Sequence, residues 1–381
     1  MKIAVLKETR AGETRVAATP DSVKKFLALG AEVAIEAGAG QAASYTDDAY
    51  RAAGATVADR AAVLSGAAIV IKVARPEAGE IASLPEGATL VATLSPHADK
   101  SLLEVYNSRK LTTFALEFVP RITRAQVMDV LSSQSNLAGY RAVLEASVAY
   151  TKALPMMMTA AGTVPPAKIM IMGAGVAGLQ AIATARRLGA IVSATDVRLA
   201  AKEQVESLGA KFVMVDDEEA KQAETSGGYA KEMSEAYKAK QAALIAETIK
   251  TQDIVITTAL IPGRKAPLLI TQDMVKSMKP GSVILDMAAE AGGNCALTQA
   301  GETVVVNNVT IMGPTNLPAH IATDASALFA RNVLAFITPL IDKETKALKI
   351  DLADEILKAS CLTREGATVH AQFIPSQGAA A

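Results

Sequence analysis

Three glycines at a fixed spacing constrain the fold of this chain more than any other feature. Gly173, Gly175 and Gly178 follow the apolar run KIMIM and open a helical pattern that stops at Gly189. A second apolar run, IVSAT, then leads directly into Asp196. A strand, a glycine turn, a helix and a second strand in this order predict a parallel βαβ unit.

The same residues indicate a site for a dinucleotide. Gly173 permits the tight turn, Gly175 lets a pyrophosphate approach the helix N-terminus, and Gly178 lets helix and strand pack closely. Asp196 can accept hydrogen bonds from both hydroxyls of the adenosine ribose and would repel a 2′-phosphate, which favours NAD(H) over NADP(H). Arg198 counts against this preference for NAD(H), because an arginine at this position can bind the 2′-phosphate of NADP(H). The alternative interpretation is a helix–strand turn that merely uses glycine.

Composition narrows the functional classes. With 381 residues the chain is expected to form two domains, and a formal net charge of −1 gives no basic surface for nucleic acid. Two cysteines fit a reducing cytosol, and the start, MKIAVLKETR, lacks the apolar run of a signal peptide. No window reaches the roughly 18 unbroken apolar residues of a membrane span.

Strand-like runs alternate with helical patterns along the chain, which indicates doubly wound parallel sheets. We expect an α/β fold of two doubly wound, Rossmann-like domains with a cleft between them. The first domain is expected at residues 1–133 plus 320–381, returning through a long apolar helix over 321–340, and the second at 134–319. Within the first domain, a single helix is predicted across residues 47–66.

Two turns and one long loop extend the predicted dinucleotide site. Thr258, Ala259 and Leu260 follow the strand DIVIT, and Glu290 follows the strand SVILDMA, at the strand ends where such sheets bind ligands. Each could be only a turn. The polar segment DDEEAKQAETSGGYAKEMSEAYKAK is unusually long for a connection, and either a solvated insertion or a lid over bound nucleotide explains it.

A row of polar side chains interrupts an otherwise apolar region. Arg121, Gln126, Asp129 and Ser132 precede and enter the helical pattern that runs from about Thr123 to residue 155. Thr123 and Gln126 have the form of a capping box. The spacing of three would place Gln126, Asp129 and Ser132 along one side of that helix, facing a ligand.

Charged residues of the first domain offer a different chemistry. Lys7, Arg15, Lys72 and His97 are predicted at or beyond strand ends. An Arg and a Lys there could clamp a substrate carboxylate and a His could act as acid–base, or each could be a solvated charge. The three histidines do not lie near cysteines or carboxylates at metal-ligand spacing, so no metal is expected.

Several longer stretches are more specific than the glycine pattern. They include KETRAGETRVAATPDSV, VLSSQSNLAGYRAV, ETSGGYAKEM, TTALIPG, MKPGSVILDMAAEAGGNC and TNLPAHIATDAS. These stretches closely resemble the NAD(H)-binding component, domain I of the α subunit, of proton-translocating NAD(P) transhydrogenase. The first domain also resembles that of alanine dehydrogenase.

This resemblance implies reversible hydride transfer from NADH to NADP⁺, coupled to proton movement across a membrane. It implies a homodimer at the cytoplasmic face of the cell membrane, with the NADP(H)-binding and membrane-spanning domains in partner chains. Arg121, Gln126, Asp129 and Ser132 match the polar loop of that family. Arg121 and Asp129 are then expected to position the nicotinamide carboxamide, with Gln126 between the two nucleotides.

The remaining expected contacts with NAD(H) also follow from the resemblance. Tyr229 and Met233 match a mobile loop that folds over NAD(H). The other expected contacts are Gly173, Gly175, Val176, Gly178, Asp196, Val197, Arg198, Thr258, Ala259, Leu260 and Glu290.

Two alternatives remain open. An amino-acid dehydrogenase of the alanine dehydrogenase type would use Arg15, Lys72 and His97, but that family has Asp before Gly-Gly, where this chain has Glu290. It also lacks the Arg-Gln-Asp-Ser row. The other alternative is an NAD-binding module without turnover of its own.

Overall fold

The computed structural model describes residues 1–216, 234–261 and 263–374. The strands are, in chain order, β1 Lys2–Val5, β2 Glu32–Glu36, β3 Thr56–Ala58, β4 Ala67–Ala74, β5 Thr89–Thr93, β6 Thr112–Ala115, β7 Met157–Thr159, β8 Gly162–Val164, β9 Lys168–Met172, β10 Ile191–Thr195, β11 Lys211–Phe212, β12 Ile254–Thr257, β13 Val283–Asp286, β14 Thr303–Val306, β15 Val309–Met312, β16 Cys361–Arg364 and β17 Ala367–Thr368.

Helices connect most of these strands. The α-helices are α1 Pro20–Ala28, α2 Asp47–Ala52, α3 Arg60–Leu64, α4 Ala78–Ser83, α5 Leu102–Ser108, α6 Val130–Ala149, α7 Val176–Arg187, α8 Ala201–Ser207, α9 Glu235–Ile249, α10 Gln272–Ser277, α11 Ala322–Ile337 and α12 Glu355–Ser360. Short 3₁₀ helices lie at Gln41–Ala43, Leu116–Phe118, Thr123–Met128, Ala289–Ala291, Leu317–Ile321 and Thr338–Leu340. Many α-helices begin at a side chain that accepts a backbone N–H, as Thr19, Thr46, Asp59, Ser234, Thr271 and Asp354 do.

The chain divides into two compact units, Met1–Gln134 with Pro318–Ala381, and Ser135–Leu317. In the described residues of the first unit, one sheet has the order β17-β16-β6-β5-β4-β1-β2-β3. Strands β1 to β6 pair in parallel, and the order reverses between β1 and β4, so this sheet is doubly wound. β16 and β17 extend it with antiparallel pairing.

Helix α11 belongs to the core of the first unit. The segment Leu317–Leu340, with 24 residues, is long and apolar enough to cross a membrane. In its most apolar stretch, however, 44% of the residues are buried inside the structure. Its buried residues Phe329, Val333, Phe336 and Ile337 pack into the apolar cluster on one face of the sheet. The long apolar run is therefore that of a core helix.

The second unit carries a sheet of order β11-β10-β9-β12-β13-β15-β14 among its described residues. All pairs are parallel except β14 with β15. The chain runs outward from β9 through β10 to β11, then returns to β12 on the other side of β9, so the order reverses between β9 and β12. Apolar residues fill both faces, as a parallel sheet covered by helices requires. The predicted α/β class with doubly wound sheets is confirmed.

Local structure departs from the sequence predictions in the region expected to be one helix. Residues 47–66 form α2, the strand β3 and α3, because Thr56 and Val57 add to the sheet edge beside β2. β-branched residues at these positions favour the extended conformation. Asp59 then caps a new helix by accepting the N–H of Ala62.

Candidate functional site

Strand register in the second unit places four chain segments at one edge. Met172 pairs with Thr195 on one side and with Thr257 on the other, and Thr257 pairs with Asp286. All four residues end parallel strands. The residues that follow are therefore neighbours at the carboxyl edge of the sheet: Gly173, Asp196, Thr258 and Met287.

The glycines of the turn differ in what requires them. A Cβ on Gly178 would lie 1.8 Å from the carbonyl oxygen of Gly173, so close packing excludes any other residue there. A Cβ on Gly173 would lie 2.4 Å from the hydroxyl oxygen of Thr258. Gly175, by contrast, has φ −77°, and a Cβ there would meet nothing within 4 Å. Neither backbone conformation nor packing explains Gly175, so we attribute it to the approach of a ligand.

Gly175 is also the N-cap of α7, where no side chain caps the helix. Helix N-termini carry N–H groups without intrahelical partners and a partial positive charge, and both favour a bound phosphate. Val176, 40% exposed, leaves the surface beside these groups apolar. This edge of the sheet thus has the backbone geometry of a phosphate site.

Asp196 follows β10 and is already hydrogen-bonded. Its Oδ2 accepts the N–H of Ala174 at 2.7 Å, and its Oδ1 accepts the N–H of Arg198 at 2.8 Å. Burial raises the pKa of Asp196, but these bonds and the Arg198 guanidinium outweigh burial and hold the pKa below its usual range. The carboxylate is therefore charged at neutral pH. Val197, between them, is 86% exposed.

The guanidinium of Arg198 covers Asp196. Its Nε lies 3.0 Å from Oδ1 and its Nη2 lies 3.1 Å from Oδ2. The guanidinium is half exposed to solvent, and together with the N–H groups of Ala174 and Arg198 it fills the acceptor positions of both carboxylate oxygens. Because Arg198 is paired with Asp196, its positive charge is already compensated, which weakens it as a receptor for a 2′-phosphate.

The turn after β12 contacts the glycine turn directly. The hydroxyl of Thr258 donates to the carbonyl oxygen of Gly173 at 3.0 Å. Ala259 is half-buried and Leu260 is 56% exposed, so an apolar surface follows the hydroxyl. Glu290 is exposed, in the short turn Ala289–Ala291 that follows β13. The structure thus brings these predicted residues to the same sheet edge.

A further glycine was missed at the sequence level. Gly139, in the middle of α6, approaches α7 so closely that a Cβ would lie 2.1 Å from the carbonyl oxygen of Ala177. Asn136 Nδ2 donates to Gln180 Oε1 between the same two helices at 3.3 Å. The available signal was a glycine inside a predicted helix, which is unfavourable unless close packing needs it. Gly139 supports the first turn of the helix that begins the phosphate site.

The polar row lies in the first unit, and its predicted helix is wrong at the start. Thr123–Met128 form a 3₁₀ helix with Ile122 at the N-cap and no side-chain cap, so the predicted capping box of Thr123 and Gln126 does not form. The α-helix begins only at Val130 and ends at Ala149. Asp129 separates the two helices with an extended backbone.

Asp129 instead starts α6. Its Oδ1 accepts the N–H of Ser132 at 2.8 Å, and its Oδ2 accepts the Ser132 hydroxyl at 2.6 Å. Gln126 and Arg121 are exposed, and within the described residues neither side chain makes a hydrogen bond or ion pair. Two polar side chains open to solvent thus accompany a rigid Asp–Ser pair.

The cations that would serve a carboxylate substrate are paired with carboxylates of the chain itself. Lys72 lies inside β4 rather than at its end, is 1% exposed, and its Nζ lies 3.3 Å from Glu8 and 3.2 Å from Glu80. The interpretation of Lys72 as a solvated charge at a strand end is therefore wrong. Arg15 contacts Glu13 at 2.7 Å and Gln134 at 2.8 Å. Burial raises the pKa of Glu8 to about 7, against the opposing effect of Lys72.

His97 packs in an aromatic cluster with Phe118 and Phe373, at centroid distances of 5.7 and 5.0 Å. Within residues 1–216, 234–261 and 263–374, no group of three or more His, Cys, Asp or Glu side chains could hold a metal ion. Tyr229 and Met233, expected in a loop over NAD(H), lie outside the described residues.

Comparison with known proteins places the chain in a family. The N-terminal domain model of alanine dehydrogenase/PNT matches residues 4–138, and the C-terminal domain model matches residues 142–371. The first part of NAD(P) transhydrogenase subunit alpha of Rhodospirillum rubrum is 58% identical over 386 residues, covering 100% of both chains. Alanine dehydrogenase of Halomonas elongata is 32% identical over 351 residues, covering 90% of this chain and 88% of its own.

A solved structure agrees with these relatives. The crystal structure of transhydrogenase from Sinorhizobium meliloti superposes with a TM-score of 0.90 at 51% identity, covering 97% of this chain and 100% of that one. Identity is thus much higher to transhydrogenase proteins than to the alanine dehydrogenase. The chain belongs to the alanine dehydrogenase/PNT family and, within it, to the NAD(P) transhydrogenase α subunits.

Proposed function

We propose that this chain is the NAD(H)-binding component of a proton-translocating transhydrogenase. It holds NAD(H) while hydride passes to or from NADP(H) held by a partner domain. The proposal rests on Gly175, a glycine that the fold does not need, at a helix N-terminus that no side chain caps. The neighbouring residue, Ala174, donates its N–H to the charged carboxylate of Asp196, so this carboxylate lies beside the glycine turn. That combination suits a pyrophosphate and an adjoining ribose.

Bound NAD(H) supplies the hydride. The residues of this chain bind NAD(H), orient its nicotinamide ring and exclude water from the ring. Gly175 and the first turn of α7 receive the pyrophosphate, and Asp196 accepts the ribose hydroxyls after Arg198 moves. Arg121 and Asp129 orient the carboxamide of the nicotinamide, and Gln126 stands toward the second nucleotide. Hydride transfer then requires the two rings to be held roughly 3 to 3.5 Å apart.

The pairing inside the first unit argues against the rival amino-acid dehydrogenase. A carboxylate substrate needs a cation whose charge is available. Lys72 is buried and forms ion pairs with Glu8 and Glu80, and Arg15 forms an ion pair with Glu13. Carboxylates of the chain itself therefore already neutralise both cations. A substrate carboxylate would have to displace them.

A reconstitution experiment tests the proposed function. The chain, mixed with an NADP(H)-binding domain of the family, should transfer hydride from NADH or to an NAD⁺ analogue, and should bind NADH far more tightly than NADPH. With NAD⁺ and L-alanine it should be inert. A folded chain that binds NADH yet supports no transfer in the mixture contradicts the proposal, and turnover of L-alanine supports the rival.

Gln126→Asn sharpens this test. If Gln126 organises the nicotinamides, the transfer rate should fall by roughly two orders of magnitude or more, while NADH affinity changes little, because a mispositioned reactant costs rate rather than binding. Gln204→Asn, an exposed glutamine on α8, is the matched control. Equal losses of rate and affinity in Gln126→Asn would indicate a structural role instead.

Partner chains and a homodimer complete the proposal. The Rhodospirillum rubrum relative is named as one portion of an alpha subunit, which supports assembly with other subunits, and we expect these to hold the chain at the cytoplasmic face of a membrane. The hairpin of β7 and β8 supports a self-association surface, because Met158 on β7 and Met156 just before it are 79% and 60% exposed. Met158→Glu should then convert dimer to monomer in sedimentation equilibrium, whereas Val305→Glu, at another exposed apolar position, should not.

A further inference from the structure

We propose that Asn294 is a positioning residue of the dinucleotide site, acting by holding the backbone of Ala259 in place. The inference rests on the proposed function, in which this chain binds NAD(H). Asn294 itself is fully buried. Its effect on binding passes through hydrogen bonds within the chain.

The network begins at Asp286, the last residue of β13, which is fully buried. A buried carboxylate is stable only when hydrogen-bonded or paired. Asp286 accepts hydrogen bonds from neutral donors on both sides, namely the hydroxyl of Thr257 at 2.9 Å, the N–H of Ala288 at 3.0 Å, the N–H of Asn294 at 2.7 Å, the N–H of Cys295 at 3.0 Å and the hydroxyl of Thr298 at 2.7 Å. The carboxylate thus fixes the main chain of Asn294 relative to β12.

The side chain of Asn294 pairs with Ala259 as a neighbouring strand would. The N–H of Ala259 donates to Oδ1 of Asn294 at 3.1 Å, and Nδ2 of Asn294 donates to the carbonyl oxygen of Ala259 at 2.9 Å. The second proton of Nδ2 goes to the carbonyl oxygen of Pro267 at 2.8 Å. Both ends of the segment 259–267 are therefore tied to one amide.

The main chain of Asn294 also holds the residues that follow this segment. Its carbonyl oxygen accepts the N–H of Leu269 at 2.7 Å and of Ile270 at 3.0 Å. The amide of Asn294 thus satisfies both backbone polar groups of Ala259. Thr258, the preceding residue, carries the restraint to Gly173 through its hydroxyl.

Strand order indicates which half of the dinucleotide depends on this turn. A dinucleotide crosses a doubly wound sheet where the strand order reverses, which here is between β9 and β12. Asp196, on the β10 side, serves the adenosine half. Residues 258–260, on the β12 side, then serve the nicotinamide half. Disturbing Asn294 should therefore weaken binding of whole NADH more than binding of its adenosine half.

The experiment compares ligands and variants. In Asn294→Ala and Asn294→Asp, NADH affinity should fall about tenfold or more, since several buried hydrogen bonds are lost or turned repulsive. Affinity for 5′-AMP should change by less than about threefold, and amide hydrogen exchange should rise in residues 259–270. Gln252→Ala is the matched control: it removes another buried amide, two residues before the start of β12 and so away from the carboxyl edge of the sheet, and should leave both affinities unchanged.

The outcomes separate the inference from the proposed function. Equal losses for NADH and 5′-AMP, or unchanged NADH affinity with a folded Asn294→Ala protein, overturn the positioning role. If Asn294→Ala does not fold, the milder Asn294→Ser is measured in the same way. A wild-type chain that does not bind NADH at all counts against the proposed function, whatever the variants do.

Discussion

The backbone N–H of Ala174 donates to Oδ2 of Asp196 at 2.7 Å. One carboxylate therefore holds the middle of the glycine turn and faces the place where we propose the ribose binds. The two portions of the dinucleotide site are coupled by this bond. A substitution of Asp196 must be interpreted for both roles at once.

Asp196→Asn separates charge from geometry. The amide oxygen can still accept the N–H of Ala174, so the protein should fold, but the N–H of Arg198 loses its acceptor and the charged acceptor for ribose hydroxyls is lost. NADH affinity should fall roughly tenfold to a hundredfold, as for hydrogen bonds to a charged group, and the preference over NADPH should narrow. Asp196→Ala should in addition reduce the free energy of unfolding by about 1 to 3 kcal/mol, because the N–H of Ala174 is orphaned. Fluorescence titration with both nucleotides and urea unfolding measure these effects.

Arg198→Ala tests whether the guanidinium competes with ribose for Asp196. Its removal leaves each carboxylate oxygen bonded only to a backbone N–H, with an acceptor position open, so NADH affinity should stay level or rise a few-fold. Isothermal titration with NADH and NADPH gives the answer. A tenfold loss of NADH affinity would show that Arg198 binds the ligand itself and that the competition argument fails.

Gly175→Ala should reduce NADH affinity without reducing stability, whereas Gly178→Ala should reduce stability. Gly175 has open space around its absent Cβ, so the alanine variant should keep its melting temperature and lose NADH affinity by tenfold or more. In Gly178→Ala the new methyl group would clash with Gly173, so stability should fall by several kcal/mol. Thermal unfolding and NADH titration of both variants test this, and a destabilised Gly175→Ala would refute the ligand-approach interpretation.

Asp129→Ala should weaken the start of α6. The N–H of Ser132 loses its acceptor, and loss of an N-cap costs about 1 kcal/mol, within a range of roughly 0.5 to 2. Ser132→Ala, which keeps the backbone bond, should cost less. Equilibrium denaturation compares the two. Equal destabilisation would mean that the hydroxyl bond, rather than the cap, holds the helix start.

Glu8 predicts a pH dependence of stability. Its pKa is raised from 4.5 to about 7 in the native state, so between these values the native state keeps a proton that the unfolded chain releases. The free energy of unfolding should therefore decrease as pH rises through this interval, with a slope of up to roughly 1.4 kcal/mol per pH unit from this group. Glu8→Gln should flatten that slope, and Glu104→Gln, an exposed control, should not. An unchanged slope in Glu8→Gln would contradict the prediction.

Sequence alone was sufficient for the class of fold and for the centre of the second unit. The order strand, glycine turn, helix, strand and Asp196 was predicted correctly, because hydrophobic period and the demand for glycine are properties of adjacent residues. The resemblance to transhydrogenase proteins likewise rests on contiguous stretches. The roles of Arg121, Gln126, Asp129 and Ser132 stay predictions that the experiments above address.

Only the tertiary structure decided the features that depend on distant segments. Gly139 is needed because α7 passes within contact of it, and the amide of Asn294 is hydrogen-bonded to the backbone of Ala259, 35 residues away in sequence. Lys72 can be buried because Glu8 and Glu80, from other parts of the chain, form ion pairs with it. Local periodicity cannot carry such information, since the free energy of these contacts arises only when the chain brings remote groups together.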